Sequence, residues 1–199
     1  SLHLGGNAMT GTWRAKLHTD LKADAIAQVA FLVEDFVPER LELSLHPATP
    51  ALRSDAPAVV KLAGRYLYGP PAADLAIEGE IAVKPAKEVA GFAGYRFGLA
   101  DEKIPPVRAA LDNLPTTAKD GRADISITLP PLAKTARPLE ADVILKLRET
   151  GGRTIERTIT IPIASTEARI GIKPLFANDQ IGNGELAAFN AILVTPEGK

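Results

Sequence analysis

The sequence predicts an all-β protein built around a seven-stranded antiparallel β-sandwich, with partial β segments on either side. Apolar and polar residues alternate in short runs, and sixteen Pro and sixteen Gly residues separate these runs. No stretch sustains the 3.6-residue period of an amphipathic helix. Leu41, Leu43 and Leu45 alternate with Glu42 and Ser44, for example, so one face of this strand points into a core and the other into water.

Seven runs form the predicted sandwich, and together they have the length of one such domain. Turn residues bound most of them, including Asp120-Gly121 before the fifth run. In chain order the predicted strands are 41–45, 58–67, 75–83, 95–99, 122–129, 140–149 and 153–162.

The ends of the chain carry further strands, but too few at either end for independent stability. Two lie near Trp13–His18 and Ile26–Val33, and three lie at Arg169–Lys173, Leu175–Phe176 and Leu186–Thr195. Because unpaired apolar strand edges are unstable in water, we expect the two end groups to pair with each other or with other copies. The first residues, Ser1 to Met9, resemble a cloning remnant, so the chain is expected to be an excised fragment.

The last hairpin allows two registers, which depend on the length of its loop. A two-residue loop of Gly151-Gly152 would place Ile155 opposite Arg148. A three-residue loop, Thr150 to Gly152 with Gly152 left-handed, gives the pairs Leu147–Ile155, Val143–Ile159, Lys146–Glu156 and Glu149–Arg153. The two ion pairs favour this register by roughly 0.2–1 kcal/mol each, so we predict the three-residue loop. It places Arg157 on the apolar face, from which its long side chain must reach the rim.

Composition excludes several classes of function. The chain has 23 basic and 24 acidic residues and a net charge of −1, so no basic surface attracts nucleic acid. Cysteine is absent, which excludes disulfides, thiolate metal sites and cysteine nucleophiles. No run of 18 apolar residues occurs, so we expect no direct membrane insertion by this segment. Aromatic residues make up 5%, with Trp13 the sole tryptophan, which gives little support to a sugar-binding strip.

No pattern in the sequence predicts catalytic, cofactor-binding or metal-binding residues. The histidines, His3, His18 and His46, are too far apart to form a metal-ligand motif. Glu78 and Glu80 share one strand face, but the outward face of a solvated strand has the same pattern. Serines 44, 54, 126 and 165 have no histidine partner and no nucleophile motif. We therefore expect no enzyme activity and no cofactor.

Two loops are longer than ordinary hairpin connections, at 84–94 and 100–121. We expect Phe92, Tyr95 and Phe97 to tie the first loop to the core. The second loop, which contains three prolines, is expected to offer a contact surface for another domain.

Several segments resemble stretches of the bacterial alpha-2-macroglobulins, which trap proteases and are built from strings of macroglobulin-like sandwich domains. They include Phe31–Leu43, which runs through the Val37–Arg40 crossing, and Ala63–Ile81, where Tyr66–Ala72 forms a rigid Gly-Pro-Pro turn. The others are Tyr95–Leu99, Asp120–Ala123 and Ile170–Pro174. The resemblance extends from about Gly11 to the C-terminus, and the residues that carry it belong to scaffold rather than to a catalytic site.

The resemblance implies a macroglobulin-like domain of immunoglobulin-like architecture at 38–164. Residues 11–37 would supply the last strands of a preceding domain, residues 165–199 the first strands of a following one, and residues 1–10 a tag or disordered segment. It implies a scaffold fragment of a periplasmic protease inhibitor, with neighbouring domains and, through the full-length protein, proteases as its partners. Any thioester for covalent capture lies elsewhere in the parent or is missing. The alternative is an immunoglobulin- or fibronectin-like binding or adhesion module of a cell-envelope protein.

Overall fold

The computed structural model describes residues 3–5, 8–20, 22–34, 40–99, 101–149, 151–176 and 180–196. Every regular element in these ranges is a β-strand, and no helix there is long and apolar enough to cross a membrane. The chain divides into two compact units, Ser1–Glu39 and Arg40–Lys199. Residues 35–39, which contain most of the predicted crossing at Val37–Arg40, lie outside the described residues, as does part of the predicted tag.

The first unit contains an antiparallel hairpin of β1 (Gly11–Leu17) and β2 (Ala27–Val33). Trp13 lies opposite Phe31, and their ring centroids are 6.4 Å apart. By the alternation of the strands, Ala15, Leu17, Val29 and Val33 lie on the same face as these two rings. Both strands agree with the sequence prediction.

The regular elements that the structure describes in the second unit are β-strands. They are β3 (Leu41–Pro47), β4 (Ala58–Tyr66), β5 (Ala76–Pro85), β6 (Arg96–Phe97), β7 (Val107–Ala110), β8 (Arg122–Ile127), β9 (Leu139–Arg148), β10 (Thr154–Pro162), β11 (Arg169–Pro174) and β12 (Phe189–Val194). Three sheets result, with the strand orders β3-β4-β8, β10-β9-β5-β7 and β12-β11-β6, and all neighbours within them are antiparallel.

The first two sheets enclose one apolar core, so the predicted all-β sandwich is confirmed. Each strand contributes its alternate residues, as the pattern of the sequence required. The buried residues include Leu41, Leu43, Val60, Leu62, Ile125 and Ile127 from one sheet, and Ile77, Ile81, Val83, Val143, Leu145, Leu147, Ile155 and Ile161 from the other.

The β9–β10 hairpin has the register that the three-residue loop predicts. Leu147 pairs with Ile155 and Val143 with Ile159. Gly152 is left-handed, with φ of 82°, and its N–H donates to the carbonyl of Glu149 at 2.8 Å. Arg157 lies opposite Leu145 and reaches outward to donate to a backbone carbonyl, as its place on the apolar face required.

Two assignments of the sequence analysis are wrong. The predicted sandwich strand 95–99 reduces to β6, which pairs with β11 in the third sheet. Strand β7 lies inside the predicted loop 100–121. It pairs with β5 and so takes the place in the sandwich that was expected for 95–99. Strand β7 is short, with only Val107 and Ala109 facing inward, so its alternation was too brief to recognise.

Among the described strands the two end groups do not pair with each other, which was one of the two expected arrangements, and pairing with other copies stays a prediction. Strand β1 pairs with β2, whereas β11 pairs with β12 on one side and with β6 on the other. The predicted strand at Leu175–Phe176 is a bend, although Leu175 continues the ladder by donating to the carbonyl of Ala188 at 2.9 Å. Strand β6, which comes from the interior of the sequence, therefore supplies the second neighbour of β11.

Candidate interdomain surfaces

The two carboxylates that share a face of β5 are each held by an arginine on a neighbouring strand. Glu78 accepts from Arg148 of β9 at 2.6 Å, and Glu80 accepts from Arg108 of β7 at 3.1 Å. Cross-strand pairs of opposite charge are the ordinary arrangement of a solvated sheet face. The structure thus gives Glu78 and Glu80 separate structural partners.

The same sheet face carries a more buried acidic group. Asp142 accepts hydrogen bonds from Lys84 and from the hydroxyl of Thr160, the latter at 2.7 Å, and Lys84 also lies 3.6 Å from Glu140. Burial acts to raise the pKa of Asp142, but the two hydrogen bonds and the charges of Lys84 and Arg108 together outweigh it, so the pKa is lowered from its ordinary value. Ion pairs of Lys84 thus connect β5 to β9, and the Thr160 hydroxyl connects β10 to β9.

One histidine and two serines named in the sequence analysis donate or accept structural hydrogen bonds with backbone groups. His18 Nδ1 lies 2.9 Å from the carbonyl of Ala23, within the connection between β1 and β2. Ser44 donates to the carbonyl of Ala63, and Ser165 caps a turn by bonding both backbone groups of Glu167. Within the described ranges, no cluster of three or more His, Asp or Glu side chains could hold a metal ion.

The long connection at 100–121 packs on its own sandwich. Ile104, Leu111 and Leu114 pack against the core, and Thr117 is 1% exposed. The Thr117 hydroxyl donates to the carbonyl of Ala72 at 2.6 Å and accepts from the N–H of Leu75 at 2.9 Å. The apolar side chains of this loop are therefore used within the domain, and the contact surface expected on its exposed side stays a prediction. Sequence reasoning missed Thr117, since a lone polar residue in a loop gives no signal of burial.

The loop 84–94 is tied to β11 rather than to the sandwich core, which corrects one expectation drawn from the sequence. Phe92 meets Phe97 edge to face, with centroids 6.3 Å apart. The ring of Phe97 packs so closely on Gly171 that a Cβ there would lie 2.6 Å from it. Lys173 sits 5.6 Å from the centroid of the Tyr95 ring, which is within range of a cation–π contact. The absent side chain of Gly171 is what lets the aromatic loop reach the third sheet.

A cleft of about 470 Å³ opens beside this contact. Its walls are residues 85–89 and 95–99, and Arg137, Pro138 and Ile172 complete the lining. Arg137 closes one side by donating to the carbonyl of Leu99 at 2.8 Å, and Gly98, with φ of 82°, packs directly against the backbone of Arg137. The lining combines apolar side chains with more cations than anions.

Apolar side chains also cover one face of each flanking β segment. In the third sheet, Ile170 is 71% exposed and Leu193, its partner across the ladder, is 63% exposed; Ile172 and Phe189 extend the same face. In the hairpin, Leu17 and Val29 are exposed on the face of Trp13 and Phe31. An apolar sheet face of this kind marks a surface that another element covers.

Comparison with known proteins agrees with the resemblance found in the sequence. The family model for the bacterial alpha-2-macroglobulin MG5 domain matches residues 39–164. The chain belongs to the bacterial alpha-2-macroglobulin family. It is 34% identical over 198 residues to the alpha-2-macroglobulin of Xylella fastidiosa (strain Temecula1), an alignment that covers 97% of this chain and 12% of the relative.

Solved structures of family members show the same fold. The native conformation of Escherichia coli alpha-2-macroglobulin superposes with a TM-score of 0.68 at 27% identity, over 98% of this chain and 13% of that chain. The same protein activated by porcine elastase gives a TM-score of 0.60 at 30% identity, over 98% of this chain and 17% of that chain. The chain therefore spans about an eighth of the length of the curated relative that it matches, and the matching region there is part of a much longer polypeptide.

Proposed function

We propose that this segment is a scaffold piece of a periplasmic, protease-trapping macroglobulin, with no catalytic activity, cofactor or metal of its own. Residues 38–164 form a complete macroglobulin-like domain, residues 11–37 close a preceding domain, and residues 165–199 open a following one.

The observation that carries this proposal is the contrast between the sandwich and its flanks. Residues from both sandwich sheets form one closed core, whereas β1–β2 and β11–β12 each expose an apolar face. A two- or three-stranded sheet with one uncovered apolar face has too little buried area to stand alone. The missing sheets of the neighbouring domains are the natural cover, and a chain that spans 12% of a relative's length leaves room for them.

The proposed role is mechanical, and proteases are partners only of the complete polypeptide. The E. coli relative is described as activated by porcine elastase, which supports a function that begins with protease cleavage. In the proposed mechanism a protease cuts a bait segment elsewhere in the polypeptide, the string of domains rearranges, and the protease is enclosed. This segment supplies stiffness and interdomain contacts during the rearrangement.

The test compares the complete parent polypeptide with the 199-residue chain against trypsin and elastase. A trapped protease still hydrolyses a small chromogenic peptide but no longer hydrolyses a large protein, so both substrates are measured. We expect the complete polypeptide to abolish only the cleavage of the large substrate, and the 199-residue chain to change neither rate. Inhibition of both substrates, or inhibition by the 199-residue chain alone, would contradict the proposal.

A further inference from the structure

We propose that Arg169 is a docking residue for an aspartate or glutamate side chain that is supplied by the part of the polypeptide following β12. The inference deepens the proposed function, because it assigns a ligand chemistry to one end of the third sheet. It rests on that function in taking residues 165–199 to open a domain that later residues complete.

Arg169 begins β11 on the more covered face of the third sheet. Opposite it on β12 is Val194, which is 9% exposed. The next residue of β11 on the same face is Gly171, which is buried under the ring of Phe97. Ile170, between them, belongs to the other face and is 71% exposed. The side chain of Arg169 is half-buried, and burial lowers the pKa of its guanidinium from the ordinary value.

Within the part of the chain that the structure describes, the guanidinium of Arg169 has no hydrogen-bond acceptor and no carboxylate partner. More exposed arginines are paired, since Arg65 donates to Glu42 and Arg148 to Glu78, each at 2.6 Å. An unpaired charge that is partly removed from water destabilises a protein, and a carboxylate that binds both arms of the guanidinium relieves this cost. Arg169 therefore has the surroundings of one half of an ion pair, and the matching half is a carboxylate.

A second polar group without a partner lies at the same end of the sheet. Thr195 follows Val194 directly, and among the described residues nothing forms a hydrogen bond with its buried hydroxyl oxygen, Oγ1. Buried hydroxyl groups nearly always have a partner, because burial without one costs free energy. The two groups are one residue apart along the β11–β12 ladder. Together they indicate that polar atoms of another element complete this end of the sheet.

The place of these groups favours later residues of the same polypeptide as the source. Polypeptide that follows β12 leaves the sheet beside Thr195 and so passes close to Arg169. A segment joined by a short linker has an effective concentration on the order of millimolar, which is enough for a single ion pair to form. The chain covers 12% of the Xylella fastidiosa relative, so proteins of this family contain the polypeptide that the proposal requires.

The first experiment measures amide hydrogen exchange in β11 and β12 for Arg169→Met, in the 199-residue chain and in the complete polypeptide. Methionine keeps a long apolar side chain and removes the charge. In the 199-residue chain we expect exchange rates that are slower or unchanged within about twofold, because the lost charge had no partner. In the complete polypeptide we expect exchange to be faster by about tenfold to a hundredfold, because a charge-assisted hydrogen bond is lost.

Arg153→Met is the matched control, because Arg153 is exposed and lies at the β9–β10 turn, outside the third sheet. It should leave exchange in β11 and β12 unchanged in both proteins. A similar acceleration by Arg169→Met in both proteins, or failure of the substituted 199-residue chain to fold, would show that Arg169 acts within the chain. Either result would overturn the proposal, as would unchanged exchange in the complete polypeptide.

The second experiment identifies the carboxylate. The complete polypeptide carrying Arg169→Lys is treated with a water-soluble carbodiimide, which condenses an amine with a carboxylate in contact with it. We expect mass spectrometry to find an amide bond between position 169 and an aspartate or glutamate beyond residue 199 of the same polypeptide. Arg153→Lys is the control and should form no bond with that acidic residue. A bond only to an acidic residue within the 199-residue chain or to another molecule, or no bond at all, would contradict the assignment.

Failure of this site and failure of the scaffold role give different results. Trapping of trypsin is measured with the complete polypeptide without substitutions, so it does not depend on the identity of the Arg169 partner. Absence of trapping would likewise leave the exchange and cross-linking results at Arg169 unchanged.

Discussion

Gly121 is the position where we expect a single added methyl group to cost the sandwich most. Its φ is 77°, and a Cβ built there lies 2.2 Å from the carbonyl oxygen of Gly64 on β4. The same carbonyl accepts from Ala72 at 3.0 Å, and the N–H of Gly64 donates to the carbonyl of Gly121 at 2.9 Å. The turn before β8 is therefore bonded directly to the middle of the sandwich, and only glycine fits there.

The magnitude follows from two separate contributions. A left-handed backbone costs a residue with a side chain about 1–2 kcal/mol. Moving the Gly64 carbonyl away from the new methyl weakens two backbone hydrogen bonds, worth about 0.5–1.5 kcal/mol each. Gly121→Ala should thus lower the free energy of unfolding by about 2–5 kcal/mol, a large part of the roughly 5–15 kcal/mol of a typical domain.

Gly152→Ala is the matched control, because Gly152 has nearly the same φ, 82°, but no atom within 4 Å of a built Cβ. It should lose only the backbone contribution of about 1–2 kcal/mol. Both variants are measured by urea unfolding followed by far-UV circular dichroism, since Trp13 lies in the other compact unit and does not report on the sandwich. Losses that agree within about 0.5 kcal/mol would refute the account of the Gly121 contact.

Three further predictions concern the same domain. Thr117→Val should cost about 2–4 kcal/mol in urea unfolding, because it leaves the buried N–H of Leu75 and carbonyl of Ala72 without their partner. Asp142→Asn should remove part of the acid sensitivity. A group whose pKa is lowered on folding stabilises the fold above its ordinary value of 3.8, and that stability is lost as the pH falls through the lowered pKa. Limited trypsin digestion should cut near both ends and leave the span from about Leu41 to Pro162 intact, because β7 and the adjoining loop pack on the sandwich.

Each of these predictions has a control or a contradicting result. Thr117→Ser keeps the hydroxyl, so a loss as large as that of Thr117→Val would mean that the hydrogen bonds are unimportant. For Asp142→Asn, an unfolding free energy that falls as steeply as that of the parent when the pH drops below 3.8 would contradict the role of the Lys84 and Thr160 bonds. Rapid cleavage between Lys103 and Lys119 would instead make that loop a candidate bait.

Strands with long alternation were predictable because burial on one face dictates the sequence pattern. The Gly152 turn and the charge pairs Lys146–Glu156 and Glu149–Arg153 predicted the β9–β10 register to the residue. Short strands were not predictable, because they contain too few alternating residues. Val107 and Ala109 alone do not distinguish β7 from a loop. Nor does alternation name a partner, so nothing in the sequence placed Phe97 on Gly171 in the third sheet.

The candidate surfaces were less accessible to sequence reasoning than the core. An apolar face that packs within its own domain and one that awaits a neighbour have the same alternation, so Ile170 and Leu193 resemble core residues in the sequence. The cleft joins residues 85–89 to Arg137 and Ile172, which only the third sheet brings together. The family resemblance carried the functional prediction, and local chemistry contributed mainly by excluding alternatives.

The most direct test of the scaffold role is trapping by the complete polypeptide with its sandwich selectively weakened. Gly121→Ala and Gly152→Ala are introduced separately, and protection of a large substrate from trypsin is measured at a urea concentration where only the Gly121→Ala sandwich is unfolded. We predict that Gly121→Ala abolishes protection while Gly152→Ala retains it. Full protection by the Gly121→Ala protein, with its sandwich shown by hydrogen exchange to be unfolded, would contradict a mechanical role for this domain.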